Sequence, residues 1–249
     1  MYRLGSCLAP DQYVRPENRQ PISSPPDSPE GAAGGHHSER AGSPSLLSGA
    51  FFGIILFMKL YLLSCHEIQW HARRILPLLP ERRRLAYACS HSPLTLGAGL
   101  LLASLLGVHR DTDLVFGPWR KPFLSKGTPQ FSLSHSADRV LLGVSDRLIG
   151  VDMEPKDRRI SEAMGRRICL PQERQLGPLP VFTRKECAMK LTGLGFSLPL
   201  SEIDVTKEFR WENEVYRFFT TEQDGFVISV LSAEVGLPEI QRLSVEELL

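Results

Sequence analysis

The sequence has few cysteines, almost no excess of charge and no GxSxG motif, and each absence argues against a class of protein. Its five cysteines are scattered and form no CxxC pair, which favours free thiols in a reducing cytoplasm over a disulfide framework or a zinc cluster. The formal net charge of +1 argues against a dedicated nucleic-acid-binding protein, which normally carries a strong basic excess. The missing nucleophile elbow argues against a serine hydrolase. The apolar fraction of 42% suits an ordinary soluble core, so we expect a cytoplasmic protein.

Residues 1–57 differ in composition from the rest of the chain. Pro, Ser, Gly and charged residues dominate positions 1 to about 45 without a periodic apolar pattern, and such segments are typically disordered. Residues 46–64 approach the length of a membrane anchor, but Lys59 interrupts them near the middle. We favour the alternative in which MKLYLLSC, starting at Met58, is the first core strand. Residues 1–57 are then an extension, and no membrane is involved.

From Met58 onward, the pattern is a strand followed by helices and further strands, and it occurs twice. Helical spacing with a proline-broken centre covers 66–90, and SPLTLGAGLLLASLLG is an apolar helix that Ser92 caps and Gly107 ends. QFSLSHS is a predicted strand, and RVLLGVSDRLIGVDME is predicted as a hairpin that turns at residues 145–147. A basic helix, the helix FTRKECAMKLTGLG and two short hairpins complete the pattern.

This order of elements predicts an α+β fold built from two similar halves. We expect the first half at 58–147 and the second at 148–249, the latter with a C-terminal tail, related by a pseudo-twofold axis. The groove between the halves is then the expected ligand site.

Acidic residues in a buried strand are the first sign of chemistry. In LIGVDMEP, Asp152 and Glu154 lie on one face of the strand, and two unpaired carboxylates side by side repel each other. A hard cation such as Mg2+ would remove this repulsion. In RKECAMK, Glu186 and Lys190 share one face of a helix, either as a surface pair or as a third carboxylate and a lysine at the same site.

Donors for a phosphate group follow from other segments. FSLSHS places Ser134 and His135 at a strand end, where a hydroxyl and an imidazole suit a phosphate oxygen, and adjacent strand residues point apart, which disfavours a nucleophile and base pair. WRKPF adds Lys121, and ERRR adds the arginines at 82–84. Each basic run alone is usually a solvated face; together they predict a phosphate-binding pocket.

Four of these motifs, taken together, resemble a known family. The segment KPFLSKGTPQFSLSHSADRVLLGVSDRLIGVDMEP, followed by FTRKECAMKLTGLG, is similar to the 4'-phosphopantetheinyl transferases of the two-halved type. Their pattern is a Gly-Lys-Pro segment, a Phe-Asn-Leu/Ile-Ser-His-Ser strand, a Gly-Ile/Val-Asp-Ile/Val-Glu strand and a helix that carries Lys-Glu and a later Lys. The resemblance covers residues 119–195 closely and the earlier elements in layout only.

The resemblance implies an enzyme that moves the phosphopantetheine arm of coenzyme A to a serine of a carrier protein, releasing adenosine 3',5'-bisphosphate. It implies Mg2+ bound by Asp152, Glu154 and Glu186. Glu186 would also take the proton of the carrier serine, and Lys190 would stabilise or protonate the leaving phosphate. It further implies a coenzyme A site, and the residues assigned to it are Arg82, Arg83, Lys121, Ser134, His135 and Lys185.

The chain departs from the family pattern at several positions. Arg120 stands where Gly is common, Ser132 where Asn is common and Phe182 where Trp is usual. The segment between Glu154 and Phe182 is also shorter than usual, in a region that helps to receive the carrier protein in the family.

The short segment after Glu154 is rich in arginine. Carrier proteins are acidic around their serine, so we expect Arg158, Arg159, Arg166 and Arg167 to attract one, unless they form only an exposed basic helix. A non-catalytic relative that binds coenzyme A or a carrier is the alternative function. The sequence leaves open whether the carrier serves fatty acid, polyketide or peptide synthesis. A monomer is expected, because two fused halves already form one groove.

Overall fold

The structure, a computed structural model, describes residues 58–117 and 119–249. The predicted disorder and the predicted extension at 1–57 lie outside the described residues, as does most of the stretch considered as a membrane anchor. Residues 58–64 of that stretch form a strand. None of the described helices is both long and apolar enough to span a membrane.

The first sheet has four strands, and helices pack against it. In order across the sheet the strands are β10 (Ile240–Leu243), β1 (Met58–Ser64), β5 (Arg139–Ser145) and β4 (Gln130–Ser136). β1 is parallel to β10 and antiparallel to β5, which is also antiparallel to β4. A separate ribbon consists of β2 (Leu114–Phe116) and β3 (Pro122–Leu124).

The helices beside this sheet follow the sequence signals closely. A 3-10 turn leads into α1 (Ala72–Ile75), and a proline-containing 3-10 turn separates it from α2 (Glu81–Ser90). The apolar helix α3 (Pro93–Leu106) starts after Ser92 and ends at Gly107, which has φ 71°. Glycine suits this left-handed position because it lacks a Cβ. The predicted bounds of α3 are confirmed, and α3 supplies more buried residues to the core beneath this sheet than any other element.

The second sheet also has four strands and carries one long helix. Its order is β6 (Ile149–Pro155), β9 (Phe226–Ser232), β8 (Glu214–Gln223) and β7 (Phe209–Trp211), all antiparallel to their neighbours. Between β6 and β7 lie α4 (Glu162–Ile168) and α5 (Pro178–Thr192). Helix α5 begins four residues before the predicted motif and ends at Gly193, which has φ 71°. The fold is thus mixed α+β, as predicted.

The two sheets share a strand order. In the first sheet the spatial order is β1-β5-β4, and the helices come between β1 and β4 in the sequence. In the second sheet the spatial order is β6-β9-β8, and α5 comes between β6 and β8 in the sequence. The C-terminal tail departs from the expected division, because β10 pairs with β1 and the following helix α6 (Val245–Leu248) packs into the first core. The tail therefore belongs with the first sheet.

The predicted hairpin of β5 and β6 is wrong. Strand β5 is paired on both edges, with β1 on one side and β4 on the other, so no edge remains for β6. The three residues 146–148 instead carry the chain from the first sheet to the second. The two later hairpins, β7–β8 and β8–β9, are confirmed.

Serine side chains join β4 to the edge of β6 that β9 leaves free. Ser132 Oγ accepts a hydrogen bond from the backbone N–H of Val151 at 3.2 Å, and Ser134 Oγ accepts one from the N–H of Met153 at 3.2 Å. These buried donors would otherwise lack partners, at a cost of about 1–3 kcal/mol each. The first sheet thus caps the edge strand of the second.

Helix α5 approaches β6 most closely at Gly150. A Cβ at this position would lie 2.0 Å from the carbonyl oxygen of Cys187 and 3.1 Å from the backbone nitrogen of Leu191. Only glycine permits this spacing, because the obstructing atoms belong to the helix backbone and cannot rotate away.

We expect Gly150→Ala to destabilise the protein by about 1–3 kcal/mol or more, because the added methyl must push α5 away from β6. Gly165→Ala is the matched control: its Cβ would meet nothing within 4 Å, and alanine favours the helix α4 by up to about 1 kcal/mol. Urea unfolding of both variants measures the difference. Equal stabilities would show that the close packing of α5 on β6 is not obligatory.

Candidate active site

Asp152 on β6 is a buried carboxylate, and one of its two oxygens has no hydrogen-bond partner in the part of the chain that the structure describes. Its neighbours Val151 and Met153 point into the core, as the alternation predicts, and Asp152 itself is 5% exposed. Its Oδ1 accepts hydrogen bonds from Ser134 Oγ at 2.9 Å and from Lys190 Nζ at 2.7 Å. Its Oδ2 is buried and has no hydrogen-bond partner among the described residues. Such an oxygen is costly unless a further donor or a cation reaches it.

Glu154 lies on the same face of β6, and both of its oxygens have partners. Ser136 Oγ donates to Oε2 at 2.7 Å, and Arg158 forms an ion pair with Oε1. The Arg158 guanidinium also lies 4.6 Å from the centroid of the Phe182 ring on α5. The phenylalanine that replaces the usual tryptophan therefore packs against a cation beside the acids.

Glu186 and Lys190 lie one turn apart on α5 and line a cavity of about 230 Å3 together with Lys121 and Phe131. Burial raises the pKa of Glu186, and the negative charge of Asp152 raises it further, although Lys190 and Arg158 oppose this. Lys190 is bonded to Asp152, so the lysine is part of the acidic site and not half of an isolated surface pair. The motif on α5 and the motif on β6 are therefore in direct contact through Lys190 and Asp152.

The carboxylates suit a divalent cation in part. The unpartnered oxygen of Asp152 and the mutual repulsion of Asp152 and Glu186 both favour one. Both oxygens of Glu154, however, are already bonded. No group of three or more His, Cys, Asp or Glu side chains within 58–117 and 119–249 has the arrangement of a metal site. Asp152 Oδ2 is the buried oxygen that remains without a partner, and Oε1 of Glu154 is released only when Arg158 moves.

Basic side chains flank the same region. Lys121 Nζ donates to the carbonyl of Leu191 at 2.6 Å, and burial lowers the pKa of Lys121 to about 8. The His135 side chain reaches solvent, on the opposite face of β4 from Ser134. Desolvation, followed by the charge of Lys190, lowers the pKa of His135, and Arg83 adds a smaller effect in the same direction. Lys190 and Arg83 therefore both act on His135 electrostatically.

Arg82 lies by the ribbon of β2 and β3. Its guanidinium is 4.9 Å from the centroid of the Phe116 ring. Its backbone N–H donates to the carboxylate of Asp111, which fixes the first turn of α2. Of the predicted arginines, Arg83 has the electrostatic link to His135.

Two residues predicted to bind coenzyme A have structural partners instead. Ser134 is 4% exposed and its hydroxyl serves Asp152 and the amide of Met153. Lys185 is 1% exposed, 3.1 Å from the buried carboxylate of Glu173, and its Nζ donates to the carbonyl of Leu200 at 2.7 Å. Neither side chain has a free donor facing solvent. We therefore remove Ser134 and Lys185 from the set of coenzyme A contacts.

Sequence reasoning missed three features of the site. Ser136 holds Glu154, Ser132 caps the edge of β6, and Arg158 pairs with an acid although it was expected to face a carrier. The period of two in QFSLSHS places its serines on one face, and this signal could have identified them. Arg120 has φ 64°, a left-handed conformation that glycine would adopt without the steric cost of a Cβ.

Comparison with known proteins matches the part of the chain that contains the acids. Residues 148–236 match the family model described as the 4'-phosphopantetheinyl transferase superfamily, and this part of the chain is a domain of that superfamily. The matched region contains Asp152, Glu154, Glu186 and Lys190, and it supports a transferase. No curated protein matches the chain.

We expect Lys185→Met to destabilise the protein by about 3–5 kcal/mol, because it leaves the fully buried Glu173 without its counter-ion. Lys207→Met is the control: Lys207 is 75% exposed in its pair with Asp204, and such pairs contribute at most about 1 kcal/mol. Chemical denaturation of both variants measures the difference. A stable Lys185→Met protein with weaker coenzyme A binding would restore Lys185 to the ligand site.

Proposed function

We propose that the protein transfers the 4'-phosphopantetheine arm of coenzyme A to a serine of an acyl or peptidyl carrier protein, with Mg2+ and with release of adenosine 3',5'-bisphosphate. The observation that carries this proposal is the 2.7 Å bond between Lys190 Nζ and Asp152 Oδ1. It brings the helix motif and the strand motif together beside a cavity that Glu186 lines. The superfamily match over 148–236 supports the same reaction.

The residues of the chain have distinct roles in this reaction. The carrier serine oxygen forms a bond to the phosphorus of the phosphopantetheine, and the bond from that phosphorus to the bridging oxygen breaks. Glu186 takes the serine proton, and its raised pKa makes it a stronger base than an ordinary glutamate. Lys190 stabilises or protonates the leaving phosphate. Mg2+, held by Asp152 and Glu186 with Glu154, would neutralise the pyrophosphate charge.

The basic residues beside the site bind the nucleotide part of coenzyme A. Lys121, His135 and Arg83 provide donors for the 3'-phosphate, with Arg82 further along α2. Ser134 contributes indirectly, because its hydroxyl orients Asp152. The two halves, with the tail elements β10 and α6 joined to the first, are related by a pseudo-twofold axis and form the binding groove in a monomer located in the cytoplasm. The shared strand order of the two sheets supports this two-halved arrangement.

The carrier protein docks through the arginines that remain free of the site. Arg159, Arg166 and Arg167 are exposed, and an acidic carrier surface would be attracted to them. Arg158 has a different role because it is engaged with Glu154.

The transfer itself is tested by intact-protein mass spectrometry of a panel of apo carrier proteins incubated with coenzyme A and Mg2+. We expect one carrier class to gain a single phosphopantetheine, and we expect Glu186→Gln and a chelator each to reduce the rate at least about 100-fold. Lys207→Met, which alters an exposed pair, is the control for general damage. Coenzyme A binding without transfer to any carrier would favour the non-catalytic alternative.

The affinity for coenzyme A should fall as the pH rises. Lys121 is charged below a pKa of about 8 in the free protein, and a phosphate binds the charged form. Between pH 7 and pH 9 the protonated fraction falls roughly tenfold, and so should the affinity measured by calorimetry. Lys121→Arg, which stays charged, should flatten this dependence. An equally steep loss in Lys121→Arg would exclude Lys121 as its source.

A further inference from the structure

Arg158 bridges the strand and the helix that carry the acids. It follows β6 in a turn, where its backbone N–H donates to the carbonyl of Pro155 at 2.9 Å. Its guanidinium pairs with Glu154 Oε1 and lies 4.6 Å from the centroid of the Phe182 ring. Phe182 precedes Glu186 by four residues on α5, so the two side chains share a face of the helix.

The charges at this place are nearly balanced without a bound cation. Lys190 is paired with Asp152 and Arg158 with Glu154, so two of the three acids have an internal counter-ion. Arg158 also acts on Glu186, whose pKa it lowers against the larger opposing effect of burial. The acids can therefore stay packed together although like charges repel.

A divalent cation and Arg158 compete for the carboxylate of Glu154. Ser136 Oγ donates to Oε2 at 2.7 Å, so Oε1 is the oxygen that carries no hydroxyl donor and is the more open one for a metal. Arg158 occupies Oε1, and two cations on one carboxylate oxygen repel each other strongly. The Arg158 side chain is 37% exposed, so it can rotate into solvent while β6 stays in place.

We propose that Arg158 is a built-in counter-ion that closes the carboxylate site in the metal-free protein and releases Glu154 when a divalent cation binds. The inference rests on the proposed function, because it takes the acids to be the ligands of that cation. Arg158 has two effects in this arrangement. It weakens cation binding, because it must be displaced, and it protects the empty site from repulsion among the acids.

The test is Mn2+ binding to the full chain without coenzyme A, measured by electron paramagnetic resonance of the free ion. Arg158→Met should bind Mn2+ roughly threefold more tightly or better, as expected for loss of a partly exposed competing pair. Arg158→Lys keeps the charge and should stay near the wild type. Arg166→Met is the matched control, because Arg166 pairs with Glu162 at the same four-residue spacing, with the two side chains 73% and 90% exposed.

Thermal unfolding gives a second readout. The melting temperature of metal-free Arg158→Met should be lower than that of the wild type, and Mn2+ should raise it by a larger amount than it does in the wild type. Arg166→Met should show neither change. Glu186→Gln should weaken Mn2+ binding in both backgrounds, which places the ion at the acids.

The counter-ion role is refuted if Arg158→Met binds Mn2+ no more tightly than the wild type, if Arg166→Met gains as much, or if neither protein binds Mn2+. The carrier assay separates this outcome from failure of the transferase. A wild type that transfers the arm while Arg158→Met shows unchanged Mn2+ affinity contradicts the counter-ion role alone. Tighter Mn2+ binding by Arg158→Met in a protein that modifies no carrier contradicts the transferase alone.

Discussion

The serine hydroxyls of β4 are the contacts on which the candidate site depends. Ser134 accepts a hydrogen bond from the backbone of β6 and donates one to Asp152, and Ser136 donates to Glu154. A hydroxyl can do both because it is a donor and an acceptor at once. A fifth backbone strand in the same position would satisfy the edge of β6 but would offer no donors to the acids. The same serine side chains therefore join the two sheets and orient the carboxylates.

Helix α5 has a lysine on each of two faces, and each lysine pairs with a carboxylate. Lys190 reaches Asp152, whereas Lys185 is enclosed with Glu173. Glu173 also accepts hydrogen bonds from the backbone of Leu170 and Val205, so its carboxylate is saturated. Because Gly150 lets the helix backbone lie directly on β6, the distance between Glu186 and the strand is set by main-chain packing. The positions of Glu186 and Lys190 at the candidate site therefore depend on the packing of the α5 backbone on β6.

The sequence was sufficient for the local elements and for the acids, but insufficient for the pairing of strands. Ser92 and Gly107 located the ends of α3, although the Ser92 side chain makes no capping hydrogen bond, and alternation along β6 placed Asp152 and Glu154 together. The link between β5 and β6 was misread, since two apolar runs with a short polar connection look alike in a hairpin and in a crossover between sheets. Lys185 stands next to Glu186 in the sequence, but it is enclosed with Glu173. One residue on a helix is a rotation of about 100°, which turns the side chain away from the site.

The return of the chain to its starting strand has a consequence for biosynthesis. Leu60 of β1 pairs with Ile240 of β10, so the ribosome must pass residue 243 before the first sheet can acquire its fourth strand. Until then one edge of β1 lacks its partner, and an unpaired edge can recruit strands from other chains. The second sheet lies within 149–232 and is complete earlier. All strands of the C-terminal sheet are therefore synthesised before the last strand of the N-terminal sheet.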